Sequence, residues 1–167
     1  MPKGGDMTAE KTNQIKEQVR TWLMDDGWSL RQDKPQGALW VFIADDGKGR
    51  KIVIGQNANR EDTIILQGGI NIDDTTSQKI DNLPAEERDD FLWELRFELL
   101  RTNLEFQGIS LPLKRIELSE RIVIDALTKD CFVQRTSELK KGVLLVLWML
   151  ARKFAQQPPA KQMGFQR

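Results

Sequence analysis

Four pairs of adjacent aspartates are the first candidates for chemistry in this sequence. Two carboxylates held close together can act as an acid and base pair or supply oxygen ligands to Mg²⁺ or Ca²⁺. Adjacent side chains in a strand or a loop point in different directions, however, and each pair falls where a helix cap, a turn or a first helical turn favours acids. We therefore predict structural roles for all four pairs and no metal site. The pairs are Asp25-Asp26, Asp45-Asp46, Asp73-Asp74 and Asp89-Asp90.

The single cysteine, Cys131, is the next candidate, because it lies near the start of a predicted helix, where the helix dipole can activate a thiol. The 167-residue chain contains no histidine, the commonest general base and metal ligand near neutral pH. Catalysis by Ser-His-Asp or Cys-His, His-containing zinc sites and His-ligated haem are thereby excluded. Free cysteine is among the most buried residue types, so we expect Cys131 to be a small buried hydrophobe. We predict no catalytic residue and no cofactor.

Two glycine-containing segments could approach a ligand closely. Gly47-Lys48-Gly49 precedes a strand pattern, whereas a phosphate-binding loop leads into a helix, so we predict a hairpin turn there. Gly68-Gly69 lies inside a strand pattern, where glycine marks a bulge or a close approach by another backbone or a ligand. We favour the bulge.

Charge and hydropathy exclude several classes of partner. The chain carries 25 basic and 25 acidic residues and has a pI near 6.4, which argues against nucleic acid, whose binding domains have a pI above about 9. The longest apolar run has nine residues, at 143–151, whereas a membrane span needs about 20, so we predict no membrane partner. The N-terminal sequence lacks the apolar segment of a secretory signal, and we therefore expect a cytoplasmic protein.

The first half of the chain predicts a helix followed by an antiparallel meander. Ile15, Val19 and Leu23 recur at helical spacing within residues 8–26, and Gly27 falls where a left-handed C-cap would end the helix. Strand patterns rich in Ile and Val follow, and the turns between them are too short for crossover helices. The predicted strands are residues 28–32, 38–44, 50–56 and 63–72.

The second half predicts a helix, two strands and a last helix. Pro84 suits the first turn of a helix to about residue 103, and Thr128 suits the N-cap of a helix to about residue 157. Between them, strand patterns lie at residues 104–111 and 115–126. The order α-β-β-β-β-α-β-β-α predicts an α+β fold with an antiparallel sheet packed by helices. The middle helix carries two adjacent apolar stripes, Trp93, Phe97, Leu100 and Leu104 beside Leu92, Leu95 and Leu99.

The last helix has more apolar surface than one packed side can cover. Its core stripe includes Phe132 and Leu139, and the apolar run at 143–151 makes more than two turns. Leu144, Trp148 and Ala151 therefore present a second apolar face, which we predict to be a dimer or partner contact with Trp148 as its anchor. Packing of this face against another helix of the same chain is the alternative. We expect most of the five tryptophans to lie in the core.

This architecture resembles the type III secretion chaperone-like fold, including the YbjN-like group of small bacterial proteins. The resemblance covers roughly residues 8–157 and rests on element order and three patterns: GRKIVI at residues 49–54, the helix around residues 92–104, and LTKDCF at residues 127–132. It implies a non-enzymatic, protein-binding or chaperone-like module that is commonly dimeric, and it brings no catalytic residue.

The sequence thus predicts one α+β domain at residues 8–157, a flexible N-terminus at residues 1–7 and a flexible basic C-terminal tail at residues 158–167. We predict a cytoplasmic, non-enzymatic interaction module that binds another protein or a second copy of itself through apolar surface on the sheet or the last helix. The alternative is a small-molecule binding protein or an enzyme with a carboxylate and arginine pocket.

Overall fold

The computed structural model describes residues 4–34 and 37–154, and of residues 4–8 the backbone alone. It confirms the α+β class and the predicted order of elements, and it adds a short second helix. The elements are α1 (Gly4–Asp25), β1 (Ser29–Asp33), β2 (Ala38–Asp45), β3 (Lys51–Asn57), β4 (Thr63–Asn71), α2 (Asp74–Asp81), α3 (Ala85–Leu100), β5 (Glu105–Gln107), β6 (Arg115–Val123), a 3₁₀ turn (Ile124–Ala126) and α4 (Lys129–Phe154).

Within the described residues, six strands form one antiparallel sheet in the order β1-β2-β3-β4-β6-β5. The first four strands form the predicted meander, whose register places Phe42 opposite Ile54 and Ile54 opposite Leu66. All three side chains are buried, so one face of the meander is lined by apolar residues at every second position. The turn between β2 and β3 is the predicted hairpin, with positive φ at Gly47 and Gly49.

Contacts among the described residues group the chain into two compact units. Unit 1 comprises Met1–Gly68 and Ser119–Leu139, and unit 2 comprises Gly69–Leu118 and Lys140–Arg167. The single domain that the sequence predicted over residues 8–157 stays a prediction.

The core of unit 1 includes the predicted stripe of α1, in which Ile15, Val19 and Leu23 are buried. The helix ends in the predicted glycine cap, because Gly27 adopts φ +88°. The amide of Trp28 donates to the carbonyl of Leu23, and the amide of Gly27 donates to that of Met24. These two bonds form a Schellman motif, which satisfies the last carbonyls of the helix.

The core of unit 2 includes the stripe Leu92, Leu95 and Leu99 of α3. Helix α3 also packs against the C-terminal end of α4, where the rings of Phe91 and Phe154 meet edge to face with centroids 5.0 Å apart. This contact and two ion pairs join the N-terminal half of α3 to the last residues of α4. Leu104, which follows the C-terminal end of α3, lies against Gly142 further back in α4, so the two helices run antiparallel.

Several predicted boundaries are corrected. Helix α1 begins at Gly4 rather than at residue 8, since its first turns contain no proline that would interrupt it. The flexibility predicted for residues 1–7 stays a prediction. Strand β5 has three residues rather than eight, since Gly108 then takes φ +94° and lies too close to the Arg115 carbonyl to allow a side chain. Strand β6 ends at Val123 in a 3₁₀ turn. The predicted tail at 158–167 lies outside the described residues.

Helix α2 was absent from the predicted order, because its eight residues contain one buried apolar side chain, Ile80, and so lack a helical stripe. A local signal for it exists, however. Asp73 is the N-cap, and its carboxylate accepts a hydrogen bond of 2.6 Å from the amide of Thr76. That hydrogen bond lowers the pKa of Asp73 below its usual value.

A buried polar network crosses strands β2 and β3 in unit 1. The indole Nε1 of Trp40 donates to Oε1 of Gln56 at 2.8 Å, and Nε2 of Gln56 donates to the Glu61 carbonyl at 2.6 Å. Trp40 and Gln56 are both buried, so these groups have no water to replace a lost partner.

We expect Gln56→Leu to lower the free energy of unfolding by about 1 to 3 kcal/mol, because it leaves the buried Trp40 indole without a hydrogen-bond acceptor. Urea denaturation followed by tryptophan fluorescence measures the change. Gln67→Leu, at an exposed position of β4, is the matched control and should change the free energy by less than about 0.5 kcal/mol. Equal effects of the two substitutions would show that the buried network contributes nothing.

Candidate functional site

The apolar face predicted on α4 is left open in the structure. Trp148 is 69% exposed, the neighbouring Leu147 and Ala151 are also exposed, and Leu144 is half-buried. Among the described residues, no ring contact or hydrogen bond of Trp148 is present. The alternative prediction, that this face packs against another helix of the chain, therefore finds no support at Trp148.

Helix α3 presents a second open apolar stripe. Trp93, Phe97 and Leu100 follow one another at i, i+4 and i+7 and are 53%, 54% and 70% exposed. The rings of Trp93 and Phe97 stack with centroids 5.7 Å apart, and the Arg96 guanidinium lies 4.7 Å from the Trp93 ring centroid. This ordered aromatic pair is a surface that can bind another molecule without first paying the entropy of ordering its side chains.

The expectation that most tryptophans are buried is wrong. Trp28 and Trp40 are buried and Trp22 is half-buried, whereas Trp93 and Trp148 are exposed. We missed the open stripe of α3 because a helix with two adjacent apolar stripes does not show in its sequence which of them faces the core.

Both open stripes belong to the antiparallel helix pair of unit 2. The Arg152 Nη2 atom lies 2.7 Å from Oε1 of Glu94, and Nζ of Lys153 lies 2.7 Å from Oε1 of Glu87. Arg152 follows Trp148 by one helical turn, and Glu94 precedes Phe97 by one turn, so the first ion pair joins a residue next to each stripe. We call the two stripes together the α3–α4 face; its residues are Trp93, Phe97, Leu100, Leu144, Leu147, Trp148 and Ala151.

Unit 1 contains a buried carboxyl group that we did not predict. Glu120 of β6 is 2% exposed, and its Oε1 atom lies 2.9 Å from Nη1 of Arg135 on α4. Glu138, one helical turn after Arg135 on α4, also influences the ionisation of Glu120. Burial first, and then the hydrogen bond with Glu138, raise the pKa of Glu120 to about 7, although Arg135 opposes the shift. The signal was readable: Glu120 occupies the inward register of a strand between Leu118 and Ile122.

The four acidic pairs have the structural roles that we predicted where their contacts are described. Carboxylates of Asp45 and Asp46 accept hydrogen bonds from amides of the hairpin turn, at 2.8 Å from Gly47 and Lys48. Asp73 caps α2 as described above. Among the residues that the structure describes, no group of three acidic or thiol side chains could hold a metal ion.

Cys131 and Gly69 differ from the predictions in instructive ways. Cys131 is half-buried rather than buried, because it lies in the first turn of α4, where its amide donates to Oγ1 of the N-cap Thr128. Gly69 marks a close approach rather than a simple bulge, since a Cβ there would overlap the guanidinium of Arg115, which crosses the strand to donate to Asn71.

A shallow depression in unit 1 bears on the enzyme alternative. It has a volume of about 300 Å³, and Lys11, Glu61, Asp62 and Asp125 are among its lining residues. Glu120 and Arg135 do not line it.

In the described part of the chain, none of the helices is long and apolar enough to cross a membrane.

We expect Trp148→Ser to change the free energy of unfolding by less than about 0.5 kcal/mol, because the side chain is exposed and the two residues have similar helix propensity. Leu95→Ala on α3, which empties a fully buried position, should instead cost about 2 to 5 kcal/mol. Urea denaturation of both variants makes the comparison. A large decrease in the free energy of unfolding for Trp148→Ser would mean that Trp148 stabilises the fold and is not free to contact a partner.

Comparison with known proteins gives a family and a fold. The sequence matches the family described as uncharacterized conserved protein (DUF2299) over residues 15–150. It is also similar to the crystal structure of an uncharacterized protein from Methanothermobacter thermautotrophicus, with a TM-score of 0.78 and 25% identity, covering 83% of this chain and 98% of that chain. Nothing matches among curated proteins. Because the family match spans more than half of the sequence, the chain belongs to the DUF2299 family of uncharacterized conserved proteins.

Proposed function

We propose that this protein is a non-enzymatic protein-interaction module, of the secretion chaperone-like kind, that docks through the α3–α4 face. The observation that carries the proposal is the exposure of two tryptophans, Trp93 and Trp148, on neighbouring antiparallel helices of unit 2. Tryptophan is enriched among the few residues that dominate binding energy at protein interfaces. Docking would proceed by burial of apolar surface without covalent chemistry.

The size of the open surface favours a protein as its occupant. Aromatic side chains bury about 150 to 250 Å² each, so the exposed parts of Trp93, Phe97, Leu100 and Trp148 add roughly 500 Å² of apolar surface. Patches of about 300 to 600 Å² are the largest on typical monomers and are often functional. A standard interface buries about 800 Å² per partner, with an apolar centre and a polar rim. The α3–α4 face is large enough for that centre.

We infer that a second copy of the chain occupies the face. Acidic and basic side chains both lie around it, and some are paired with each other, Glu94 with Arg152 and Glu98 with Arg101. The rim therefore carries charges of both signs, which suits contact with an identical surface as well as with another protein. Two such faces can meet about a two-fold axis, so that each open helix stripe packs against a stripe of the other copy.

The test is the mass of the protein in solution. We expect sedimentation equilibrium to give a dimer for the wild type and a monomer for Trp148→Asp, because an unpaired carboxylate buried against aromatic rings is costly. Met24→Asp is the matched control, since Met24 is also an exposed apolar residue on a helix but lies in unit 1. This control should remain a dimer, and circular dichroism should show that both variants are folded.

A monomeric wild type, or a dimer that Trp148→Asp leaves intact, would contradict self-association through this face. A pull-down from an extract of the source cells then tests whether the α3–α4 face binds another protein instead of a second copy of the chain. One stoichiometric partner that Trp148→Asp loses and Met24→Asp keeps would identify another protein as the occupant. Loss of no partner in the Trp148→Asp variant would contradict the interaction module itself.

The alternative, a small-molecule binding protein or an enzyme, has one observation in its favour: the depression with Lys11, Glu61, Asp62 and Asp125 among its lining residues. A metabolite that raises the melting temperature of the wild type and not of Asp62→Asn would support this alternative.

The cytoplasmic location expected from the sequence stays a prediction.

A further inference from the structure

We infer that Glu120 and Glu138 in unit 1 form a proton-binding site, in which one proton shared between the two carboxyl groups holds the first turns of α4 against strand β6. This inference does not depend on the α3–α4 face, which lies in unit 2. The ligand of the site is a single proton, and the site makes the attachment of residues 129–139 sensitive to pH.

The position of Glu120 in its strand is the first step. Glu120 alternates with Leu118 and Ile122 on the buried side of β6, so its side chain enters the core instead of solvent. A charged carboxylate is costly in such a place unless hydrogen bonds and an opposite charge compensate it. Arg135 supplies part of that compensation through the 2.9 Å contact with Oε1.

The second oxygen of each carboxyl group carries the inference. Oε2 of Glu120 and Oε2 of Glu138 are both buried, and neither accepts a hydrogen bond from a donor group among the described residues. An ionised carboxylate can only accept hydrogen bonds, so two facing carboxylates cannot satisfy each other. A single proton on either group turns it into a donor to the other, which satisfies both oxygens and removes the repulsion between two like charges.

The charges around Glu120 agree with this arrangement. The groups that act on its ionisation are Glu138 and Arg135, both on α4, and Arg135 in turn contacts Cys131. Burial and Glu138 outweigh Arg135, so the pKa of Glu120 rises from its ordinary value of 4.5 to about 7. The folded protein therefore holds this proton more tightly than the unfolded chain does.

The sign of the pH dependence follows. Below pH 4.5 both the folded and the unfolded protein carry the proton, and the stabilising effect is complete. As the pH rises from about 4.5 to about 7, the unfolded chain releases the proton first, so the free energy of unfolding falls. Above pH 7 the Glu120 carboxyl is ionised inside the core, and the first turns of α4 are held less firmly.

The experiment is a pH titration of protein labelled with ¹³C at the glutamate carboxyl groups, followed by NMR. We expect one carboxyl resonance of the wild type to titrate with a midpoint near pH 7, and Glu120→Gln to lack that resonance. Urea denaturation between pH 4.5 and 8.5 should show a loss of stability with rising pH in the wild type that Glu120→Gln does not share. Glu10→Gln, at an exposed position of α1, is the control and should behave like the wild type.

Two further variants distinguish a shared proton from simple burial. Glu138→Gln should lower the midpoint of Glu120, because it removes the neighbouring negative charge, and Arg135→Met should raise it, because it removes the positive charge. These shifts also provide the test if Glu120→Gln does not fold. The inference is overturned if no carboxyl group of the wild type titrates above about pH 6, or if Glu138→Gln leaves the midpoint unchanged.

Discussion

An α-helix that packs on one side turns only part of its circumference towards the core, and this constraint governs both the stability and the open surface of unit 2. Helix α3 carries apolar residues over more of its circumference than it can bury. Leu92, Leu95 and Leu99 fill the core, and the aromatic stripe that begins at Trp93 stays in solvent. The same excess occurs on α4 around Trp148. The proposed binding function is thus a consequence of how much apolar surface the two helices have in surplus.

Burial, more than residue type, separates the carboxylates of this protein into two groups. Asp45, Asp46 and Asp73 are bonded to backbone amides of turns and caps, where their negative charge is useful and water remains close. Glu120 has the same chemical group but lies in the core register of a strand, opposite Glu138 and Arg135. The ionisation of Glu120 is therefore coupled to the packing of α4, whereas the three aspartates stabilise the local backbone of turns and caps.

The family and the fold set limits on what can be transferred from relatives. The chain belongs to a family of uncharacterized conserved proteins, and the similar crystal structure is also of an uncharacterized protein. The proposals for the α3–α4 face and for the carboxyl pair consequently rest on contacts within this chain. The two sites lie in different compact units, and each has its own experimental test.

Local patterns determined much of the secondary structure. The stripe of α1, the cap at Gly27, the glycine turn after β2 and the N-cap Thr128 were all readable, because each depends on residues a few positions apart. Helix α2 was missed because it has almost no apolar stripe. The tertiary structure alone decided that β6 lies next to β4, that α3 exposes its Trp93 stripe, and that Arg135 reaches Glu120. These features join segments distant in sequence, and short-range periodicity carries no information about which distant segments pack together.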